Sequence, residues 1–341
     1  MPKLNKILQE NRTDVIIYVF QIYAAFVLNS SSPNLDSSYE VIAKSVLEDP
    51  SNTDMDMKYL VPGEIRLLCA ILYKYPDFYS PYKEHLFGLF EKVLNKLSLE
   101  EDAMNLLACI SETFPLNSIS DELVDATKKV FQRMFLYKNQ TRLKRIPDVF
   151  LKSVYVFMSR FILCHGVESL VNLIHSFQDG ILINFLEKEG LWIGRIGKTD
   201  FYRRHVLAAF TILATEWNDL RGTPAMVTLV QALIENVCPT GKFEVGAAKK
   251  EDPNEDMPAE YQEDSASFER TSFQPLYSIN ISRADNLPNV EDYTLHVLQC
   301  VQQIVNSESK DFLTNVGNGL TKDTQNYFGE LCQKYNIDLK K

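Results

Sequence analysis

The chain has 341 residues, of which 45% are hydrophobic and 23% charged, enough apolar material to bury a large core and to exclude intrinsic disorder over most of its length. Its formal net charge of −10 excludes a protein built to grip the phosphate backbone of nucleic acid, which needs a clustered excess of Lys and Arg. Only 13 Gly and 14 Pro interrupt apolar segments that mostly run longer than a strand, so the chain reads as all-α. A helical chain beyond roughly 250 residues is expected to extend as an array or to split into domains.

From Thr13, read as an N-cap, apolar residues recur at helical spacing through Val27 until the stop Asn29 to Pro33. A shorter helical pattern covers about 36–47, and a second pair begins at Pro62 and runs to Tyr75, its partner opening at Ser80-Pro81. The third pair is expected to start on a capping box, Ser98 with Glu101, and to continue from about Asp121. In the fourth, Phe150, Val154, Phe157 and Phe161 share one face, and after His165-Gly166 a single helix is expected over 170–185. The fifth carries Val206, Phe210, Leu213 and Trp217, followed by a helix capped at Thr223-Pro224. Starts near 13, 62, 100, 146 and 200 approach the period of HEAT and armadillo units, in which a helix-turn-helix plan repeats more than its sequence does.

The expected organisation is an α-solenoid, a superhelix of HEAT-like antiparallel helix pairs, with about five pairs over 1–240. An acidic, Pro-interrupted flexible insertion with a docking segment follows over 241–286, and a C-terminal helical unit over 287–341 completes the solenoid. The six cysteines at 69, 109, 164, 238, 300 and 332 are scattered without a C-x-x-C pair, the pattern of buried thiols in a reducing compartment. The most apolar stretch, 15–28, is too short and too polar in its middle to span a membrane, so no membrane insertion is expected.

Sites of chemistry are few. The Gly197-Lys198-Thr199 tripeptide ends like a phosphate loop, but Trp192 stands where such a loop needs glycine, so an inter-helix loop with Thr199 capping the next helix is the reading. The five His, at 85, 165, 175, 205 and 296, have no metal-helix spacing, and no nucleophile elbow occurs, so no catalytic residue, metal or cofactor is expected. His165 and His175 are read as caps or surface residues. Two charged clusters are candidate partner-binding residues. Lys138, Arg142, Lys144 and Arg145 form a basic turn, either simply solvated or open to an acidic partner. Glu251, Asp252, Glu255, Asp256, Glu263 and Asp264 form an acidic run with the matching pair of readings.

Stretches along the whole chain carry a family resemblance: IYVFQI at 17–22, AMNLLA at 103–108, FQR at 131–133, the helix pair over 150–185, Glu263-Asp264 with Phe268 and Phe273, and the closing 320–339. In these the sequence resembles the C-terminal domain of the importin-alpha re-exporters, the cellular apoptosis susceptibility exportins of the importin-beta (karyopherin) superfamily. The resemblance implies an export receptor that binds importin-alpha as cargo with Ran-GTP in the nucleus and releases both in the cytoplasm, shuttling between the two. It spans roughly the last third of such a receptor, so the chain is expected to be a fragment, a split gene product or an incomplete gene model. Ran-GTP binding is accordingly expected to be weak or to depend on the N-terminal repeats. The alternative is a generic HEAT scaffold or a different transport receptor with another protein partner.

Overall fold

Apolar residues at three- and four-residue spacing produce helices almost throughout the computed structural model, which describes residues 13–48, 60–96, 98–140, 144–196, 202–238, 293–309 and 311–339. The chain divides into two compact units, whose described residues lie between 13 and 157 and between 158 and 339.

The first unit carries α1 (Thr13–Asn29), α2 (Ser37–Glu48), α3 (Val61–Lys74), α4 (Lys83–Leu94), α5 (Glu100–Thr113), α6 (Ser120–Gln140) and the start of α7 (Asp148–His165). α1 packs on α3 and α3 on α5, while α2 packs on α4 and α4 on α6. First helices thus make one layer and second helices another, each pair leaning on its neighbours as in a helical-repeat array. Because α1 covers one side of α3 and α5 the other, α3 is apolar nearly all round, with Leu67, Leu68, Ala70, Ile71 and Leu72 fully covered. Burying each such leucine contributes about 1.5–3 kcal/mol, and Leu68→Ala would cost about 2–5 kcal/mol by the cavity it leaves. The polar Arg66 on the same helix is accommodated by its Nη1 donating to Gln21 Oε1 at 3.1 Å. The Tyr75 hydroxyl closes the first corner, donating to the Ser32 carbonyl at 3.1 Å.

In the second unit, α11 (Pro224–Val237) is central. It packs on α9 (Ile181–Glu189), α10 (Arg203–Glu216), α12 (Tyr293–Ser307), α13 (Phe312–Gly319), α14 (Lys322–Lys334) and the 3-10 helix Gly190–Arg195, while α8 (Val167–His175) packs on α9 and α10. Its start is the one expected: the Thr223 hydroxyl accepts from Met226 N–H at 3.3 Å, with Pro224 following where no N–H is needed. Glu308 then clasps the preceding turn, its carboxylate accepting from Gly222 N–H at 3.2 Å.

Several expectations are corrected. The single helix over 170–185 is two helices, α8 and α9, separated by a turn in which Gly180 takes φ +71°, a left-handed conformation that interrupts a helix. The capping box does not form: Ser98 sits at φ +70°, Leu99 occupies the N-cap of α5, and no side chain bonds there. Pro81 lies in a 3-10 turn, Ser80–Tyr82, ahead of α4. Tyr202, not Thr199, is the N-cap of α10. The short helix α13 lies between the two helices foreseen near the C-terminus. The acidic insertion falls outside the described residues.

Candidate partner-binding surface

Between Lys128 and Lys152 the sequence holds eight cations (Lys128, Lys129, Arg133, Lys138, Arg142, Lys144, Arg145 and Lys152) and one anion, Asp148, a local net charge of 8 − 1 = +7 in a chain of net −10. The segment's described residues form the second half of α6, the loop residues 144–147 and the first turn of α7. Its buried face carries Val130, Phe131, Met134 and Tyr137 at helical spacing, and the Tyr137 ring packs 6.0 Å from that of Phe150, which fixes the corner between the helices.

Two of the cations are turned inward. Arg133 Nη2 donates to Glu100 Oε1 at 3.0 Å, and the Tyr137 hydroxyl donates to the same oxygen at 2.5 Å, tying α6 to the first turn of α5. Burial disfavours the Arg133 charge, but Tyr137 and Glu100 more than offset it and hold its pKa above the ordinary value. Burial, with Glu100 beside it, pushes the Tyr137 phenol well up, so it stays a donor. Lys129 pairs with Glu91 of α4 and, at 2.6 Å, with Asp125 on its own helix. These interactions brace α6 and leave the positive charge of the turn to other residues.

Lys144, at φ +48°, and Arg145 are exposed, and Lys138 is half-buried in the last turn of α6. Beside them stand large apolar residues that no buried stripe explains: Phe135 is 65% exposed, Val149 59% and Leu136 38%. Phe135 lies on an outward ridge with Lys128, Gln132 and Asn139, all exposed, and Asn139 Nδ2 donates to the Phe135 carbonyl at 2.9 Å. The structure therefore brings together Lys144, Arg145 and the end of α6. Arg142 and the acidic residues Glu251, Asp252, Glu255, Asp256, Glu263 and Asp264 lie outside the described residues. Charge alone marked the corner in the sequence. The apolar component was missed, although Phe135, Leu136 and Val149 could have been found as large side chains off the helical stripe.

The other motifs are structural where they are described. The segment before Gly197 is the 3-10 helix Gly190–Arg195 packed on α11, where a phosphate loop needs a buried strand, and 197–199 lie outside the described residues. The His175 ring stacks edge-on against Trp217 at 6.1 Å, and His165 ends α7 beside Phe161 at 4.8 Å. His205 is buried in α10, edge-on to Tyr202. Among the described residues no three His, Cys, Asp or Glu side chains are grouped to hold a metal, and no helix is long and apolar enough to cross a membrane.

Comparison with known proteins bears on the whole chain. The family model described as CAS/CSE protein, C-terminus, matches residues 1–331. A solved structure described as the exportin Cse1 in its cargo-free, cytoplasmic state superposes with a TM-score of 0.64 at 18% identity, covering 97% of this chain and 32% of that one. The chain thus spans about a third of the length of that exportin, and the likeness establishes a helical-solenoid fold. No curated protein sequence matches.

Proposed function

The chain belongs to the CAS/CSE family, and from that premise we propose that it is a segment of a nuclear export receptor, which binds importin-alpha as cargo and returns it from nucleus to cytoplasm. The observation that carries this reading is the family match along nearly the whole sequence, 1–331, joined to two stacked layers of helices in the first unit. A repeat array of this kind works by surface: it holds a protein partner over many weak contacts, and small changes in packing between pairs alter that surface. The role is therefore binding, without catalysis and without a cofactor. Ran-GTP engagement is weak in this segment or depends on repeats outside it, and the receptor shuttles between nucleus and cytoplasm.

On the same reading, the contacts are made by Arg142, Lys144 and Arg145 at the basic corner and by Glu251, Asp252, Glu255, Asp256, Glu263 and Asp264 in the acidic run, each offering charge to an opposite patch. Capture of purified importin-alpha on the immobilised chain, with and without Ran loaded with a non-hydrolysable GTP analogue, tests the proposal. Retention of importin-alpha over an unrelated acidic protein supports it. Absence of retention, even with the N-terminal repeats of an exportin supplied in trans, favours a scaffold for another partner.

A further inference from the structure

We propose that Ser80 is a phosphorylation site for a proline-directed serine/threonine kinase, with ATP as the phosphoryl donor. The run Ser80-Pro81-Tyr82-Lys83 puts proline directly after the hydroxyl and a lysine three residues on. Proline has no N–H, so it suits a kinase groove that leaves a backbone donor at that position unsatisfied, and the lysine offers its charge to an anionic patch. Two other hydroxyls precede proline and lack the rest. Ser32-Pro33 has Leu35 where the lysine is needed, and the Thr223 hydroxyl is occupied in the cap of α11, accepting from Met226 N–H and donating to the Leu220 carbonyl at 2.6 Å.

The fold leaves this run accessible. Ser80 and Pro81 are exposed, and from Ser80 to His85 no residue is buried, although Tyr79 before them and Leu86 after them are fully covered. Opening 80–85 between those anchors uncovers little apolar surface, the condition for local unfolding at low cost. The backbone favours it as well. Ser80 sits at φ −53°, ψ −38°, in the helical region that a following proline ring disfavours, so release returns it to the extended form a kinase groove binds. In the transfer, Ser80 Oγ bonds to the γ-phosphorus of ATP, the bond to the β–γ bridging oxygen breaks, ADP leaves and the hydroxyl proton passes to the base of the kinase. The product carries about −1.5 to −2 charge at pH 7. Its nearest lysine in sequence is Lys83, whereas Asp77 and Glu84 repel it. Lys83 in turn ties α4 to the next helix pair: its Nζ donates to Ser118 Oγ at 2.9 Å, in the turn before α6, and lies 5.1 Å over the Phe114 ring at the end of α5. A phosphate on Ser80 draws that ammonium back and loosens the tie between the second and third pairs.

The inference stands apart from the cargo reading. The full chain is incubated with a cyclin-dependent kinase, ATP and Mg²⁺, and the phosphate is located by tandem mass spectrometry, beside Ser80→Ala, Ser32→Ala, Lys83→Ala and Lys83→Arg. Thermal melts of the four variants establish that they fold like the parent. The expected result is a single phosphate, on Ser80, in the parent and in Ser32→Ala, and its loss in Ser80→Ala. Lys83→Ala should slow the reaction about tenfold, the weight of one charge-assisted contact, and Lys83→Arg should restore it. In the phosphorylated parent, amide exchange over 116–119 should quicken about fivefold, as for one hydrogen bond lost, while α3 keeps its protection. An unmodified Ser80, in a tube where the same kinase labels a Ser-Pro-x-Lys peptide, overturns the proposal. So does labelling of Ser32 or Thr223 in its place, or an undiminished rate in Lys83→Ala. Unchanged exchange over 116–119 overturns the release of Ser118.

Discussion

Tyr137 donates its phenolic hydrogen to Glu100 Oε1 at 2.5 Å, and the same oxygen accepts from Arg133 at 3.0 Å, so one buried carboxylate fastens the last third of α6 to the start of α5. Removing Glu100 strands a mostly buried guanidinium, whereas removing the hydroxyl costs a single hydrogen bond. Glu100→Ala is therefore expected to destabilise the chain by about 3 kcal/mol and Tyr137→Phe by about 1 kcal/mol. Urea denaturation of both and of the double variant checks this, and the double should cost less than the sum, because the interaction is shared.

Asp102 yields a pH dependence. Burial, then the neighbouring Glu101, raises its pKa from 3.8 to about 7, and Arg66 opposes them only in part. The folded chain thus holds a proton that the unfolded chain gives up, so stability is highest below pH 4 as far as this group is concerned and falls as pH rises towards 7. Asp102→Asn removes the penalty. The variant should be more stable than the parent by on the order of 1–2 kcal/mol at pH 8, after allowance for partial solvent exposure, and indistinguishable at pH 4. Thermal melts across that range decide, and a variant less stable at pH 8 would refute the account.

Much of this architecture is legible in the sequence, because helix existence depends on periodicity that a single segment carries. Val61–Lys74 and Pro224–Val237 are found within a residue or two of where Pro62 and Thr223-Pro224 place them. The misreadings have local causes that tertiary packing decides. Gly180 lies within an apolar pattern that continues on either side, so only its left-handed backbone reveals the break between α8 and α9. Ser98 and Glu101 have the spacing of a capping box, yet Ser98 is spent on a turn. The Glu100–Arg133–Tyr137 brace joins residues 33 and 37 positions apart, a distance no periodicity reports. The candidate surface is half legible: charge pattern marks Lys144 and Arg145, whereas the exposure of Phe135 and Val149 depends on which neighbours the repeat brings over them.

The close approach of α13 to α11 gives a third expectation. Gln231 Nε2 donates to the carbonyls of Val316 at 3.0 Å and Asn315 at 3.3 Å, and a Cβ built on Gly319 would stand 2.0 Å from that nitrogen. Gly319→Ala displaces the amide and Gln231→Ala deletes it, so each should cost about 1–2 kcal/mol by leaving carbonyls underused. Hydrogen exchange should show the loss as faster opening of 312–319, while protection in α3 is unchanged.

The thiols give a fourth. Burial pushes Cys238 up to about 12 and Cys300 up to about 11, and Cys332 is raised by the same cause. Because the thiolate is the reactive form, a thiol reagent at pH 8 should modify these three at least about tenfold more slowly in the native chain than in urea. Mass spectrometry of partly modified protein reads each site, and equal rates in the two states would contradict their burial.

The most direct test of the central claim is capture of importin-alpha by the full chain at physiological salt, where screened surface attraction does not mislead. The account predicts selective retention, strengthened when GTP-loaded Ran and the N-terminal repeats of an exportin are added together. Retention no greater than that of an unrelated acidic protein, with those repeats present, would contradict it.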